Sequence, residues 1–151
     1  MVVIRRKSKE FVTRISNSVE KCALPLVFVD VGGITSVENE QICATATHAI
    51  IISSDPAKIK EWESFNRALG ITTIAILESD YRGKNDNVQP ATEDGILRGS
   101  VHYLERGEAC HQRPMVQANV KHVMQLANRR LEEAEAVKRV GSLSGSIEDI
   151  D

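Results

Sequence analysis

Three short apolar runs, each followed by polar or acidic residues, constrain the fold of this chain more than any other feature. They cover residues 24–31, 48–53 and 71–77. Runs of this length, rich in Val, Ile and Leu without alternation, are typical of strands buried on both faces of a parallel sheet. Helical patterns separate the runs, and this alternation predicts an α/β fold with right-handed crossovers.

Local capping signals mark the helices that precede and connect these strands. Residues 8–21 carry apolar side chains at helical spacing. Residues 35–38 have the spacing of a capping box with Thr35 at its head, which predicts a helix to about residue 46. Asp55-Pro56 suits the start of a third helix, and Gly70 suits its end.

The C-terminal half predicts a loop, a fourth strand and a long helix. Residues 81–94 are polar and contain glycine and proline, whereas residues 96–104 are more apolar. Apolar residues then recur at helical spacing over residues 114–140. We expect a single three-layer α/β domain of Rossmann-like type over residues 1–140, with a mostly parallel sheet, and a disordered acidic tail over residues 141–151.

The predicted C-terminal helix is longer than a small sheet needs for its cover. Arg129, Arg130, Glu132, Glu133 and Glu135 give its outer half the mixed charges of a solvated surface. We expect the projecting part to pack against a second copy in a homodimer. A monomer with a frayed helix end is the alternative.

Composition restricts the classes of function. The chain is 42% hydrophobic and 26% charged, with a net charge of −2, so broad nucleic-acid binding is not expected. No apolar run approaches the roughly 20 residues that span a bilayer, and the first residues lack the apolar core of a secretory signal. The three separated cysteines indicate reduced thiols in the cytoplasm, and no spacing predicts a metal or cofactor site.

The carboxyl ends of the predicted strands form the candidate ligand site. In an open parallel sheet these ends meet at one edge, where ligands bind. Hydroxyl, carboxylate and glycine residues follow the strands, and arginines follow in later loops. The predicted ligand-binding residues are Asp30, Gly32, Gly33, Ser53, Ser54, Ser79, Arg82 and Arg113. A structural turn at the two glycines and a routine helix entry after Ser53 are the alternatives.

The segment 99–108 is dense in reactive groups and supplies the candidate catalytic residues. His102 could act as a base and Arg106 as an anion clamp. Alternation along a strand would place His102 and Glu105 on opposite faces unless the chain bends between them.

Part of the chain resembles the later half of a P-loop NTPase domain. More narrowly, it resembles the kinase-like domain fused to CRISPR ring nucleases, which degrade cyclic oligoadenylates. The resemblance rests on Val29-Asp30-Val31-Gly32-Gly33, Glu38-Asn39, Thr47-His48-Ala49-Ile50, Trp62, Phe65 and Ser79-Asp80. It implies that Asp30 is the Walker B acid, with Gly32 and Gly33 beside the γ-phosphate. The chain lacks the phosphate-cradling Walker A motif, so ATP hydrolysis by the usual mechanism is not expected.

These features together favour a nucleotide-binding or nucleotide-sensing protein. With the resemblance, they suggest a CRISPR accessory protein in antiviral defence that binds or cleaves a cyclic oligoadenylate across a two-fold interface. Cleavage would make it a metal-independent ring nuclease or phosphohydrolase, so enzyme and sensor both stay open. The alternatives are a non-catalytic interaction module that uses residues 115–140 and a small hydrolase that uses His102 or His111.

Overall fold

A four-stranded sheet forms the framework of the protein. The computed structural model describes residues 8–105 and 107–144, with side chains to residue 137. The strands are β1 (His48–Ser53), β2 (Thr72–Asp80), β3 (Asn87–Val88) and β4 (Leu97–His102), in the order β1-β2-β4-β3. β1, β2 and β4 are parallel, and β3 pairs antiparallel with β4. The predicted strands near residues 48–53, 71–77 and 96–104 and their parallel arrangement are therefore confirmed.

Four helices accompany the sheet within the described residues, and polar side chains cap three of them. They are α1 (Lys9–Glu20), α2 (Val37–Cys43), α3 (Pro56–Ala68) and α4 (Pro114–Ser144). Ser8, Ser36 and Asp55 each accept a backbone N–H at a helix start. The predicted capping box was wrong by one residue, because the Thr35 hydroxyl donates to the Glu61 carboxylate on α3 instead.

Both faces of the sheet are covered. On one face Ala75, Leu77, Val101 and Met115 form a buried cluster, and Met115 comes from the start of α4. The neighbouring side chain of Ile51 is also buried, and alternation along a strand places it on the face opposite Ile50, which packs on that cluster. α3 contacts β1 and β2, whereas α4 contacts β3 and β4. The chain is a mixed α/β protein with a mostly parallel sheet and a long C-terminal helix, as predicted.

The predicted first strand is wrong in this structure. Residues 24–31 form no ladder with β1, which is hydrogen-bonded only to β2 among the described residues. Leu24 and Phe28 are 68% and 70% exposed. The apolar run therefore lacks the strand neighbour that its burial would require, and β1 rather than this segment ends the sheet.

Three other predicted assignments also differ. The segment predicted as a loop contains β3, because Asn87 and Val88 pair with Ser100 and Gly99. The fourth strand ends at His102, since Tyr103 adopts a left-handed backbone with φ of 40° that a strand cannot continue. α4 extends to Ser144, so the first residues of the predicted tail are helical and the remainder lies outside the described residues.

No described helix combines the length and apolarity needed to cross a bilayer.

Gly99 provides a stability test of the packing between β3, β4 and α4. An added Cβ would overlap the backbone oxygen of Asn87 and the sulfur of Met115. We expect Gly99→Ala to lower the free energy of unfolding by about 1–3 kcal/mol, because one of these neighbours must move. Urea denaturation measures the loss. Gly33→Ala is the control, since nothing lies within 4 Å of its added Cβ, and equal stability of the two variants would contradict the packing described.

Candidate functional site

The carboxyl ends of three parallel strands meet at one edge of the sheet. Ser53, the last residue of β1, lies opposite Glu78 on β2, and Asp80 on β2 lies opposite His102 on β4. The structure therefore brings Ser53, Ser79 and His102 to a common edge, as the sequence predicts. Ligands of open α/β sheets bind at such edges.

Two stacked tyrosines occupy this edge. Tyr81 directly follows β2 and Tyr103 directly follows β4. Because Asp80 and His102 pair in register, the two tyrosines leave the sheet at the same level. Their ring centroids are 4.9 Å apart with an interplanar angle of 31°, and the residues are 61% and 44% exposed. They form an aromatic surface that is open to a ligand.

The backbone of Tyr103 holds this stack at a conformational cost. A non-glycine residue with positive φ costs on the order of 1 kcal/mol, and such strain concentrates at functional sites. The Tyr103 N–H donates to the Asp80 carbonyl at 3.0 Å, which ties the strained residue to β2. Hydrogen bonding with Glu105 and then with Tyr81 raises the pKa of the Tyr103 hydroxyl.

A buried carboxylate, Asp86, organises the polar groups beside the tyrosines. Its side chain is fully buried and accepts hydrogen bonds from Arg113 Nη2 at 2.6 Å, His102 Nδ1 at 2.6 Å, the His102 N–H at 3.1 Å and the Met115 N–H at 3.2 Å. Burial alone would raise the pKa of Asp86. The hydrogen bonds from Arg113, His102 and Met115 outweigh burial and lower this pKa to about 2. Asp86 is therefore ionised at neutral pH.

The hydrogen-bond geometry fixes the tautomer of His102. Arg113 Nη2 carries two N–H bonds, and these go to the Asp86 carboxylate and the His102 carbonyl. None is left for His102 Nδ1, although this atom lies 2.8 Å from Nη2. In the neutral form of the imidazole, the proton is thus assigned to Nδ1, which donates to Asp86, and the lone pair to Nε2. The His102 side chain is 28% exposed, so a lone pair on a partly exposed ring is a candidate base.

Asp80 shapes the turn between the first tyrosine and β3. Its Oδ1 accepts the N–H of Arg82 at 3.0 Å and that of Gly83 at 2.9 Å. Such a side-chain-to-backbone turn holds the chain without help from other elements. Arg82 is exposed at this turn, which places a cation next to Tyr81.

The other predicted site residues lie elsewhere or have local roles. The Ser53 hydroxyl contacts the backbone of Asp55 at the entry to α3, and Ser54 is exposed beside it. Asp30 and Gly33 line a groove of about 560 Å³ beside β1 instead of ending a strand.

Neither glycine of the predicted turn has a positive φ, and the Gly32 carbonyl accepts from the buried Asn39 side chain. Arg106 lies outside the described residues. Across the described side chains, no group of three or more His, Cys, Asp or Glu residues is arranged to hold a metal ion.

Sequence reasoning missed Asp86 and the tyrosine pair. Asp86 lies in the segment predicted as a polar loop, where nothing in the local pattern distinguishes it from neighbouring polar residues. The tyrosine pair carried no clear signal, because Tyr81 lies four residues beyond the predicted strand 71–77 and Tyr103 lies within the predicted strand 96–104. The structure also changes the expected role of Arg113, whose Nη2 binds Asp86 and His102.

Asp86 gives a specific stability prediction. We expect Asp86→Asn to lower the free energy of unfolding by about 3 kcal/mol, because Arg113 loses a buried counter-charge. The folded-state pKa of about 2 lies below the ordinary value of 3.8, so the carboxylate stabilises the fold above pH 4. This contribution, on the order of 1–2 kcal/mol, is lost as the pH falls from about 4 to 2.

Urea denaturation of both proteins between pH 2 and 7 measures the two effects. The difference in stability between wild type and Asp86→Asn should shrink at the acid end. Glu93→Gln is the control, because Glu93 is an exposed residue away from this network, and it should change stability much less. A difference that stays constant with pH would contradict the ionised state of Asp86.

Comparison with known proteins assigns no function to this site. Protein-family models, curated proteins and solved structures were compared with the chain, and none of them matched.

Proposed function

We propose that the protein binds a nucleotide or a short cyclic oligonucleotide at the carboxyl edge of the sheet. The observation that carries this proposal is the exposed Tyr81–Tyr103 stack. Aromatic side chains bind nucleobases by stacking, with about 1–3 kcal/mol per base. The edge is also where parallel α/β sheets bind ligands, and the left-handed Tyr103 backbone positions the pair there.

The charged residues near the tyrosines suit a phosphate-bearing ligand. Arg82 follows Tyr81 directly and is exposed, and its guanidinium can bind phosphate oxygens in a bidentate manner. In this proposal Arg113 does not contact the ligand, since its side chain is only 12% exposed and Nη2 donates to Asp86 and His102. It positions His102 instead. Because part of the sequence resembles the kinase-like domain fused to CRISPR ring nucleases, the proposal also includes a role in CRISPR signalling in the cytoplasm.

A homodimer is part of the proposal and is supported by α4. Val120, Met124 and Leu131 are exposed on this helix at spacings of four and seven residues. Apolar residues at these spacings form the seam of paired helices. Sedimentation velocity over a range of protein concentrations tests the dimer. If only monomer is found at every concentration, the homodimer is excluded.

Binding of cyclic tetra-adenylate to tyrosine variants tests the proposed site. We expect Tyr81→Ala and Tyr103→Ala each to raise the Kd by about tenfold or more, because each removes a stacking surface. Isothermal titration calorimetry measures the change. Tyr81→Phe and Tyr103→Phe keep the rings and should stay close to wild type. Alanine variants that bind as tightly as wild type would exclude the tyrosine pair as the site.

A second candidate function, cleavage of the bound oligonucleotide, is favoured by His102. Its Nε2 lone pair can accept the proton of a ribose 2′-hydroxyl. The 2′-oxygen then forms a bond to the adjacent phosphorus, and the bond from phosphorus to the 5′-oxygen breaks. The 5′-oxygen leaves with a proton from water, and the imidazolium returns its proton to the resulting hydroxide. The products carry a 2′,3′-cyclic phosphate and a 5′-hydroxyl.

Turnover of cyclic tetra-adenylate in the presence of EDTA tests this activity. We expect His102→Ala to lower kcat by about 100-fold or more, as for the loss of other general bases, and added imidazole to restore part of the rate. His111→Ala should retain activity, because the described hydrogen bonds to Asp86 come from His102, Arg113 and Met115 and not from His111. If the wild-type protein binds cyclic tetra-adenylate tightly but does not turn it over, cleavage is excluded and the sensor function remains.

A further inference from the structure

The outer edge of β1 is unusually unprotected. β1 contains His48-Ala49-Ile50-Ile51-Ile52-Ser53 and no Lys, Arg, Asp, Glu or Pro. Within the described residues it pairs only with β2, and Ile52 is 55% exposed. Natural sheets protect their edges with charges, prolines, bulges, very short strands or a covering segment, because an exposed edge pairs with other chains. The opposite edge follows this rule, since β3 has two residues.

The segment 24–31 lies next to this edge and has the composition of a strand. This segment and β1 both line the groove of about 560 Å³, together with residues of the four helices. Four of the eight residues are Val or Phe, which favour strands. Among the described residues no backbone hydrogen bond joins the segment to any strand. The segment and the outer edge of β1 therefore carry backbone groups that lack sheet partners.

The connection between this segment and β1 suits parallel pairing. The chain passes from the segment through α2 to β1. A strand, a helix and an adjacent strand form the right-handed crossover unit of parallel sheets. The residues that follow the segment are already held by other elements, because Asn39 on α2 donates to the Ile34 carbonyl at 2.7 Å and Thr35 donates to Glu61 on α3. Pairing therefore requires movement of the segment alone.

We propose that residues 24–31, here named the strap, close onto β1 as a fifth, parallel strand. The structure describes the open state, in which the groove separates the strap from β1. Closure fills the groove, buries Phe28 and supplies the missing partners of the β1 edge. It also carries Asp30 to the edge of the sheet at which Ser53 ends β1. The inference requires no ligand and is independent of nucleotide binding.

Pro25 predicts which strap amides pair with β1. Proline has no N–H, so an edge strand places it where that group would face solvent. Successive residues of a strand alternate, so Val27 and Val29 share the orientation of Pro25. The N–H groups of Leu26, Phe28 and Asp30 then face β1. A proline at position 28 removes a bonded N–H, whereas a proline at position 27 removes a solvent-facing one.

Amide hydrogen exchange of the full chain, followed residue by residue by NMR, tests the closure. We expect Leu26, Phe28 and Asp30 to exchange about tenfold or more slowly than Val27 and Val29, because closure protects only the paired amides. Phe28→Pro should abolish this protection. Val27→Pro should keep it. Phe28→Ala retains the N–H but loses the ring, and it should keep the alternating pattern at a reduced level.

Two results would overturn the proposal. The first is equally fast exchange along the whole strap in the wild-type chain. The second is protection of the β1 edge that rises with protein concentration while the strap exchanges fast, which would assign this edge to a second copy. Sedimentation velocity over the same concentration range identifies that case. Because no nucleotide is added, failure of nucleotide binding does not affect either readout.

Discussion

The buried Asp86 carboxylate is the interaction on which the candidate site depends. Through its two oxygens it joins the segment before β3, the end of β4 and the start of α4. A carboxylate without water around it is stable only when several donors surround it, and Asp86 has four. The same donors fix the ring of His102 and the guanidinium of Arg113. Fold stability and site geometry therefore share one set of hydrogen bonds.

The parallel register of β2 and β4 is the second requirement. It pairs Asp80 with His102, so the residues that follow leave the sheet side by side. An antiparallel arrangement would separate Tyr81 from Tyr103 by the length of a strand. The turn at Asp80 and the left-handed backbone of Tyr103 then complete the stack. The parallel topology is common to many α/β proteins. The turn at Asp80 and the backbone of Tyr103 are the local features that place the tyrosine pair on it.

The sequence predicted best those features that local patterns determine. The strand at residues 48–53 and the start of α3 at Asp55-Pro56 follow from apolar runs and capping chemistry. The strap was predicted as a strand because its composition favours burial, but composition does not specify a partner. Asp86 was missed because its donors come from residues 102, 113 and 115, which only the folded chain brings together. Of the site, the common strand edge was predictable, whereas the network behind it was not.

The position of Met115 has a mechanical consequence. Its N–H, in the first turn of α4, donates to one oxygen of Asp86, while the other oxygen orients His102. The longest of the described helices therefore begins at the carboxylate that aligns the imidazole. A shift in the start of this helix would therefore move a hydrogen-bond donor of the group that orients the imidazole. The start of α4 and the edge of the sheet are in this way connected through the Asp86 carboxylate.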